Sequence, residues 1–300
     1  MATPRIVLLG AEGQLGSAIA SQLHSQLDKG IFPNQVWCFS HRALDITDRQ
    51  AVNEAMQEIA PTHVINAAAY TAVDKAEQDA AAAESVNHLA VAGLAEVCSR
   101  HRAALIHFST DYVFSGLSDR PYYPDDHPDP INVYGKTKYL GELAALRYPR
   151  ALVVRLSWLY SHQHTNFLTT MLRLFREKPQ LQIVSDQTGA PTYVAGVAEL
   201  VERIIRASDP GKGIFHWCDR GEISWYEFAV AILQQATQLN LVHESPILTP
   251  ISSEAYASPA KRPSYSVLDT QLTSETFAIT PNSWQENLST ALEKIAAGGP

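Results

Sequence analysis

Two tyrosines and two lysines lie within VYGKTKYLGE, the ten residues at positions 133–142. On an α-helix, side chains four residues apart share a face, and side chains two apart do not. Tyr134 and Lys138 therefore form a pair, whereas Lys136 points elsewhere and Tyr139 has no lysine four positions later. A phenol with a pKa of about 10 exchanges protons poorly at pH 7, and a nearby ammonium lowers that pKa. The spacing predicts Tyr134 as a general acid tuned by Lys138, with an ordinary surface pair as the alternative.

A short polar segment, HFSTDYVFSG at 107–116, continues an apolar run that is predicted to be a strand. Ligands of open α/β sheets bind at the carboxyl ends of the strands. Thr110 lies at such an end, where its hydroxyl can donate a hydrogen bond to a substrate carbonyl and hold it near Tyr134. Thr110, Tyr134 and Lys138 together predict the site of a carbonyl reductase, and a non-catalytic relative that binds the cofactor remains the alternative.

Three glycines, Gly10, Gly13 and Gly16, follow the first apolar run in the sequence GAEGQLG. A turn without Cβ atoms lets a pyrophosphate approach the backbone amides at a helix N-terminus. Because the glycines lie between a predicted first strand and a predicted first helix, they indicate a dinucleotide site. A plain strand–helix turn would not need three glycines. The GxxGxxG spacing is typical of extended short-chain dehydrogenase/reductases.

The end of the second apolar run bears on the choice of cofactor. An acidic residue there binds the ribose 2′-OH of NAD, whereas an arginine accommodates the 2′-phosphate of NADP. The sequence FSHRALD has His41 and Arg42 at this point, and its first acid, Asp45, comes later. NADPH is therefore favoured and NADH is left open, with a solvated surface arginine as the alternative for Arg42.

The elements that must position these residues alternate between apolar runs and helical stretches. Strands are predicted at 5–10, 36–40, 63–69, 104–110, 151–158 and 213–218. Strands that are apolar on both faces, with helices between them, imply a parallel sheet that is covered on both sides. The predicted fold class is α/β, a Rossmann-type doubly wound parallel sheet with a smaller, mainly C-terminal α/β substrate domain.

The expected domain boundaries follow from the order of the predicted elements, because the regular alternation of strands and helices loosens after about residue 160. We expect residues 1–160 plus about 188–217 to form the NADP(H)-binding domain, and about 161–187 plus 218–300 to form a discontinuous substrate-binding domain. Capping boxes are predicted at Thr47–Gln50 and at Ser224–Glu227. The alanine-rich segment 76–100 is expected to be one long helix.

Charge and cysteine content exclude several classes of function. The net charge of −8 disfavours nucleic acid as a partner, because phosphate binding needs a basic face. No run of about 18 apolar residues is present, so no membrane span is expected. Cys38, Cys98 and Cys218 are widely separated, and the N-terminus lacks the pattern of a signal peptide. A reduced, cytoplasmic protein is therefore expected.

Nine segments carry a resemblance that covers essentially the whole chain: GAEGQLG, LDITD, INAAAYTAVDKAE, STDYVFSG, NVYGKTKYLGE, RLSWLY, NFLTTMLR, SDQTGAPT and KRPSYSVLD. In their order and spacing the chain resembles the dTDP-4-dehydrorhamnose reductases. The resemblance implies hydride delivery from NADPH, or NADH in some members, to C4 of dTDP-4-dehydro-β-L-rhamnose. The implied product is dTDP-L-rhamnose, a precursor of cell-surface polysaccharide.

The resemblance also implies roles for particular residues. Tyr134 is the implied general acid, Lys138 tunes it and binds the nicotinamide ribose, and Thr110 positions the keto group. The implied cofactor residues further include Gly10, Gly13, Gln14, Leu15, Gly16, His41, Arg42, Asp45, Ile46, Ala67, Ala68, Ala69, Tyr70, Thr71 and Phe108. The implied substrate residues are Val73, Asp74, Thr110, Asp111, Tyr112, Trp158, Asn166 and Arg262. Arg262 offers the cation that a diphosphate needs, with a solvated arginine as the alternative.

One departure from the family concerns metal. Some members bind Mg²⁺ between subunits through glutamates, one of which follows the glycine loop. Here Ser17, Ala18 and Ile19 follow Gly16, so no metal site is predicted and the matching homodimer is left open.

Three rival functions remain to be weighed. Related dehydratases carry Thr-Asp-Glu where this chain has Asp111 followed by Tyr112, which favours simple carbonyl reduction. The alternatives are another NDP-4-keto-sugar reductase or epimerase, and a non-catalytic NADP(H)-binding regulatory subunit.

Overall fold

A six-stranded parallel sheet forms the centre of the computed structural model, which describes residues 4–30, 35–207 and 211–298. Residues 1–3, 31–34, 208–210 and 299–300, which belong to the predicted domains, lie outside the described residues. In chain order the strands are β1 Arg5–Leu9, β2 Gln35–Phe39, β3 His63–Asn66, β4 Ala104–Thr110, β5 Ala151–Leu156, β6 Leu159–Tyr160, β7 Gln180–Val184, β8 Thr188–Gly189, β9 Thr192–Tyr193, β10 Gly213–Trp217, β11 Ile223–Ser224 and β12 Ile247–Ile251.

Helices cover both faces of this sheet and build the C-terminal part of the molecule. They are α1 Gln14–Asp28, α2 Arg49–Ile59, α3 Val73–Ala76, α4 Ala80–Glu84, α5 Ala90–His101, α6 Val133–Leu146, α7 Phe167–Glu177, α8 Val194–Arg206, α9 Trp225–Gln238, α10 Ser253–Tyr256, α11 Gln271–Phe277 and α12 Trp284–Ala296. Within the described ranges, no helix combines the length and the apolar character that a bilayer crossing needs.

The order of the strands creates the expected ligand-binding edge. The central sheet runs β2–β1–β3–β4–β5–β10, and every pair in it is parallel. The chain leaves β1 toward β2 and then returns to the opposite side of β1 for β3. Such a reversal opens a crevice at the carboxyl ends of the strands, which is where ligands of this fold class bind. All seven residues of β4 are buried, as expected for a central parallel strand. The predicted Rossmann-type α/β fold is confirmed.

A second core lies in the C-terminal part of the chain. It gathers buried side chains from α7, α9 and α12, including Leu168, Phe228 and Leu288. Three two-stranded sheets border it: β7 with β12, β6 with β9, and β8 with β11. Phe277 and Ile279, by contrast, pack in the core of the central sheet. The division into two domains at the stated boundaries stays a prediction.

Two of the local predictions need correction. The Thr47–Gln50 capping box is wrong: Asp48 is the N-cap of α2, because its carboxylate accepts hydrogen bonds from the amides of Gln50 and Ala51. The long helix predicted at 76–100 needs its start and regularity corrected: α3 ends separately at Ala76, and one helical segment then runs from Ala80 to His101 as α4, a π-helical turn at Ser85–Leu89, and α5.

The second capping box is confirmed. At the start of α9 the side chain of Ser224 accepts from the amide of Glu227, and the side chain of Glu227 accepts from the amide of Ser224.

Candidate active site

Tyr134 is positioned by the first turn of α6. The helix begins after Asn132, whose side-chain oxygen accepts a hydrogen bond from the amide of Gly135 at 2.7 Å. A Cβ atom at Gly135 would collide with the carbonyl oxygen of Tyr112, so only glycine lets the helix approach this closely. The close approach puts the rings of Tyr112 and Tyr134 edge to face, with centroids 5.8 Å apart.

Lys138 lies one turn further along α6 and is almost completely buried, at 2% exposure. Its ammonium donates a hydrogen bond to the carbonyl oxygen of Phe108 on β4, at 2.6 Å. Burial lowers the pKa of Lys138 to about 8, and the negative charge of Glu142 acts in the opposite direction. The lysine is thus anchored to the neighbouring strand.

The environment of Tyr134 differs from the prediction. Burial raises the pKa of Tyr134 to about 12, hydrogen bonding with the Thr110 side chain acts to lower it, and the charge of Asp111 raises it further. The predicted lowering of this pKa by Lys138 is therefore wrong for this arrangement, because burial dominates and the ammonium is bound to the Phe108 carbonyl. A phenol with so high a pKa stays protonated and can act as a proton donor.

Thr110 and Asp111 lie at the carboxyl end of β4. The hydroxyl of Thr110 donates to Oδ1 of Asp111 at 3.0 Å and accepts from the amide of Tyr112 at 3.2 Å. Asp111 is 2% exposed, and its second oxygen, Oδ2, has no hydrogen-bond partner. Burial raises the pKa of Asp111 to about 7. The proton of Thr110, which was expected to serve a substrate carbonyl, is directed at Asp111.

The glycine loop brings the ends of β1 and β3 together. Gly10 has a φ of +76°, and a Cβ atom there would lie 2.6 Å from the amide nitrogen of Ala68. A Cβ atom at Gly16 would collide with the carbonyl oxygen of Gly10. Gly13 is the N-cap of α1, and neither a side-chain cap nor an acidic residue occupies the first turn. The amides at this helix start are thus available to an anion, which fits the pyrophosphate of a dinucleotide.

Gln14 and Asn166 meet at the start of α1. The side-chain oxygen of Gln14 accepts a hydrogen bond from the side-chain nitrogen Nδ2 of Asn166 at 2.9 Å. The side-chain nitrogen of Gln14 donates to the backbone carbonyl of Leu159 at 3.0 Å. Asn166 is also the N-cap of α7, where its side chain takes part in a capping box with Thr169. The structure therefore brings Asn166 to the glycine loop and employs its side chain in local bonds; its predicted substrate contact stays untested.

The residues after β2 lie at the surface. His41 and Arg42 are exposed, and Nδ1 of His41 lies 3.8 Å from a carboxylate oxygen of Asp45. Ile46 and Leu15 are buried in the two cores that flank the sheet. Arg42 is thus exposed after β2, and its predicted contact with a 2′-phosphate stays a prediction.

Asn87 is a site residue that the sequence interpretation missed. Its side chain accepts from the amide of Tyr70 at 2.9 Å and donates to the carbonyl of Tyr70 at 3.1 Å, and so fixes the predicted cofactor segment 67–71. It also donates to the hydroxyl of Thr137, the neighbour of Lys138, at 3.2 Å. Asn87 is 1% exposed and lies in the π-helical turn. The only signal in the sequence was a polar side chain within an alanine-rich helix.

Several predicted substrate residues converge beside Tyr134. Val73 and Asp74 begin α3, and a guanidinium nitrogen of Arg262 donates to the carboxylate of Asp74 at 2.9 Å. The Arg262 side chain is 21% exposed and also donates to the hydroxyl of Ser258. Arg262 is therefore not a freely solvated arginine.

Trp158 sits at the junction of the two cores. Its φ is +43°, and its ring stacks on that of Trp225 with centroids 3.5 Å apart and an interplanar angle of 6°. Only a glycine at position 189 leaves room for the Trp158 ring. Trp225, which the sequence interpretation did not single out, borders a cavity of about 240 Å³ that Phe167, Met171, Ile183, Gln187 and Arg262 also line.

A buried ion pair supports the helix behind Lys138. The carboxylate of Glu142 accepts two hydrogen bonds from Arg155, at 2.9 and 2.7 Å, and both side chains are 0% exposed. Arg155 also lies over the ring of Phe114 and 3.4 Å from Nε2 of His216. The pair ties α6 to β5 and β10. Within residues 4–30, 35–207 and 211–298, no group of three or more His, Cys, Asp or Glu side chains could hold a metal ion.

A parallel sheet with a glycine loop after its first strand, and a Tyr–Lys pair on the helix beside its fourth, defines the class of short-chain dehydrogenase/reductases. Comparisons with known proteins narrow this class. Residues 4–297 match the family model described as the RmlD substrate binding domain. The dTDP-4-dehydrorhamnose reductase of Aggregatibacter actinomycetemcomitans is 38% identical over 95% of this chain and 97% of its own. The chain belongs to the dTDP-4-dehydrorhamnose reductase family, as its motifs predicted.

Two further relatives support this assignment. The spore coat polysaccharide biosynthesis protein SpsK of Bacillus subtilis is 36% identical, over 97% of both chains. The crystal structure of the dTDP-4-dehydrorhamnose reductase from Bacillus anthracis, in complex with NADP, has a TM-score of 0.88 and 33% identity, and the match covers 97% of this chain and 99% of that one.

Proposed function

We propose that this protein uses NADPH to reduce the C4 keto group of dTDP-4-dehydro-β-L-rhamnose to the hydroxyl of dTDP-L-rhamnose. Relatives that match the chain from end to end are named for this reaction. The observation that carries the proposal is the placement of Tyr134 one helical turn before Lys138 on α6, a helix that the Lys138 ammonium anchors to the end of β4 through the Phe108 carbonyl at 2.6 Å. A protonated phenol at that edge can donate to an oxygen that gains negative charge.

The proposed cofactor site runs along the crevice between β1 and β3. Gly13 and the amides at the start of α1 would bind the pyrophosphate, and Arg42 would bind the 2′-phosphate that distinguishes NADPH from NADH. The segment 67–71, held by Asn87, would line the nicotinamide half. When bound, NADPH supplies the hydride that reduces the carbonyl carbon.

The chain's own residues handle the proton and the substrate. Tyr134 gives its phenolic proton to the C4 oxygen, and Lys138, anchored to the Phe108 carbonyl, would bind the cofactor ribose. Arg262 would offer its guanidinium to the diphosphate, because a planar cation suits two phosphate oxygens. The nucleoside would extend into the cavity beside Trp225. In this scheme the cofactor belongs to residues 1–160 and 188–217, and the nucleotide end of the sugar to 161–187 and 218–300.

The setting of the reaction is proposed on separate grounds. Cys38, Cys98 and Cys218 are free thiols, which suits a reducing compartment, so we place the protein in the cytoplasm. The homodimer stays a prediction that light scattering would test.

Replacing Tyr134 with Phe tests the proposed acid. With NADPH and dTDP-4-dehydrorhamnose, the native protein should oxidise NADPH, and Tyr134→Phe should do so about 10²–10⁴-fold more slowly, because the variant lacks the proton donor. NADPH binding, measured by fluorescence, should persist. Tyr139→Phe is the matched control, because this half-buried tyrosine lies on the same helix and is not paired with Lys138. An inactive native protein that binds NADPH, or an active Tyr134→Phe variant, would overturn the proposal.

A further inference from the structure

The cavity beside Trp225 has two chemically different walls. Phe167 and Ile183 contribute apolar side chains, whereas Gln187 and Arg262 contribute polar ones. Its volume of about 240 Å³ is below the ~300–1,000 Å³ of typical ligand pockets, so the cavity suits one part of a nucleotide sugar. An apolar wall accommodates the flat ring of a base, and the polar groups beside it determine which base fits.

Gln187 is held from both sides at this wall. Before it, the amide of Ser185 donates to the carbonyl of Ile251 at 2.9 Å. After it, the amide of Thr188 donates to the carbonyl of Ser264 at 2.8 Å. Gln187 itself is buried, at 6% exposure. The backbone bonds and the burial together leave its side chain little freedom to move.

A chain of hydrogen bonds determines which way the Gln187 amide faces. The Ser253 hydroxyl lies 2.6 Å from Oδ1 of Asp186 and 2.8 Å from the side-chain nitrogen of Gln187. Asp186 is exposed and is therefore an ionised acceptor at neutral pH, and it also accepts from the backbone amide of Ser253 at 2.9 Å. Ser253 gives its one hydroxyl proton to Asp186, so it can only accept from Gln187. The atom of Gln187 beside Ser253 must therefore be the NH₂ nitrogen.

The side-chain oxygen of Gln187 is consequently left for a ligand. Within the described part of the chain this oxygen makes no hydrogen bond, yet it is not sealed from solvent. Because Gln187 borders the cavity, the open space beside the oxygen belongs to the cavity. We propose that Gln187 selects the base of the nucleotide sugar by accepting a hydrogen bond from the N3–H group of thymine or uracil. This inference rests on the proposed function and deepens it.

The fixed amide distinguishes between pyrimidines. Thymine and uracil carry a proton on N3, whereas N3 of cytosine is an acceptor. In the same position cytosine would bring a lone pair against the Gln187 oxygen, and neither atom would be satisfied. Rotation of the amide would relieve this conflict, but Ser253 opposes it, because its hydroxyl proton is already donated to Asp186. Arg262 would bind the diphosphate that all these nucleotides share, so the choice of base depends on Gln187.

Calorimetric titration of the native protein tests this selection without turnover. We expect dTDP to bind about 10–100-fold more tightly than dCDP, because one hydrogen bond is replaced by a clash of two acceptors. N3-methyl-dTDP, which lacks the N3 proton, should lose a similar factor. In contrast, dUDP should stay within about fivefold of dTDP, because it lacks only one methyl group. Equal affinities for dTDP, N3-methyl-dTDP and dCDP, or no binding of dTDP, would overturn the proposal.

Two variants separate the orientation of the amide from its presence. Gln187→Met should remove the preference for dTDP over dCDP. Ser253→Ala keeps the Gln187 side chain but frees its amide to rotate, so the affinity for dCDP should rise toward that for dTDP. Gln182→Met is the matched control and should keep the native preference, because Gln182 borders the same cavity from the exposed side of β7. A native preference in either Gln187→Met or Ser253→Ala contradicts the inference.

Failure of this inference can be told apart from failure of the proposed function. A protein that prefers dTDP to dCDP but reduces no keto-sugar would refute the reduction and retain the role of Gln187. A protein that reduces dTDP-4-dehydrorhamnose with NADPH, yet binds dCDP as tightly as dTDP, would retain the reduction and refute that role.

Discussion

Breaking the buried ion pair behind the active site should destabilise the fold strongly. Glu142→Gln removes the charge that faces Arg155, and both side chains are 0% exposed. Two charge-assisted hydrogen bonds are lost or weakened, at about 1.5–3 kcal/mol each, and the guanidinium is left buried without a counter-charge. The expected loss in the free energy of unfolding is about 3–5 kcal/mol, the range for removal of one partner from a buried pair.

Urea denaturation followed by circular dichroism measures this loss, with Glu177→Gln as the matched control. Glu177 pairs with Arg173 one helical turn away, but their side chains are 47% and 59% exposed. Water screens such a pair, so the control should lose less than about 1 kcal/mol. Equal losses in Glu142→Gln and Glu177→Gln would refute the reasoning, because burial would then have no effect.

A double variant separates the cost of an unpaired charge from the value of the pair. Glu142→Met with Arg155→Met removes both charges and keeps roughly the same volume. We expect it to be more stable than either single variant, since no buried charge remains uncompensated. Additive losses in the double variant would show that the two side chains contribute independently.

Two other variants test the cofactor site, and one treatment tests the prediction that no metal takes part. Arg42→Ala should raise the Michaelis constant for NADPH about 10–100-fold relative to that for NADH, because a charge-assisted bond to the 2′-phosphate is lost. Equal changes in the Michaelis constants for NADPH and NADH would contradict this. Gly16→Ala should abolish NADPH binding, since its Cβ atom would collide with the Gly10 carbonyl, whereas Gly93→Ala, whose Cβ atom would have its nearest neighbour at 3.6 Å, should bind normally in the same titration. Dialysis against EDTA should leave the rate of NADPH oxidation unchanged; a loss that Mg²⁺ restores would show that a metal takes part.

Local sequence patterns predicted the elements that depend on local interactions. The helix that carries Tyr134 and Lys138 was predicted between two apolar runs, and α6 spans Val133–Leu146. The capping box of Ser224 and Glu227 needs only residues three positions apart, and it forms as expected. The parallel sheet was predicted from strands that are apolar on both faces. This pattern can be recognised in each strand's own sequence, without knowledge of the partner strands.

The predictions failed where neighbouring residues compete for the same role. Thr47 and Asp48 can both cap α2, and the carboxylate takes this role with two backbone amides. The hydroxyl of Thr47 instead donates to Asp45 at 2.8 Å. Within the segment 76–100, alanine content favours a helix throughout but does not reveal a π-helical turn, because that turn serves the distant contacts of Asn87.

Distant contacts explain why the chemistry of the site was less predictable than its residues. Spacing along α6 determines which side chains share a face with Tyr134, but it does not reveal which residues of other elements pack against that face. The ammonium of Lys138 is held by a carbonyl 30 residues earlier in the chain, and Arg262 pairs with a carboxylate 188 residues away. Burial by such distant segments also determines the direction of each pKa shift, upward for Tyr134 and Asp111 and downward for Lys138. Sequence spacing can therefore nominate a proton donor, whereas the folded surroundings decide which neighbour controls its proton.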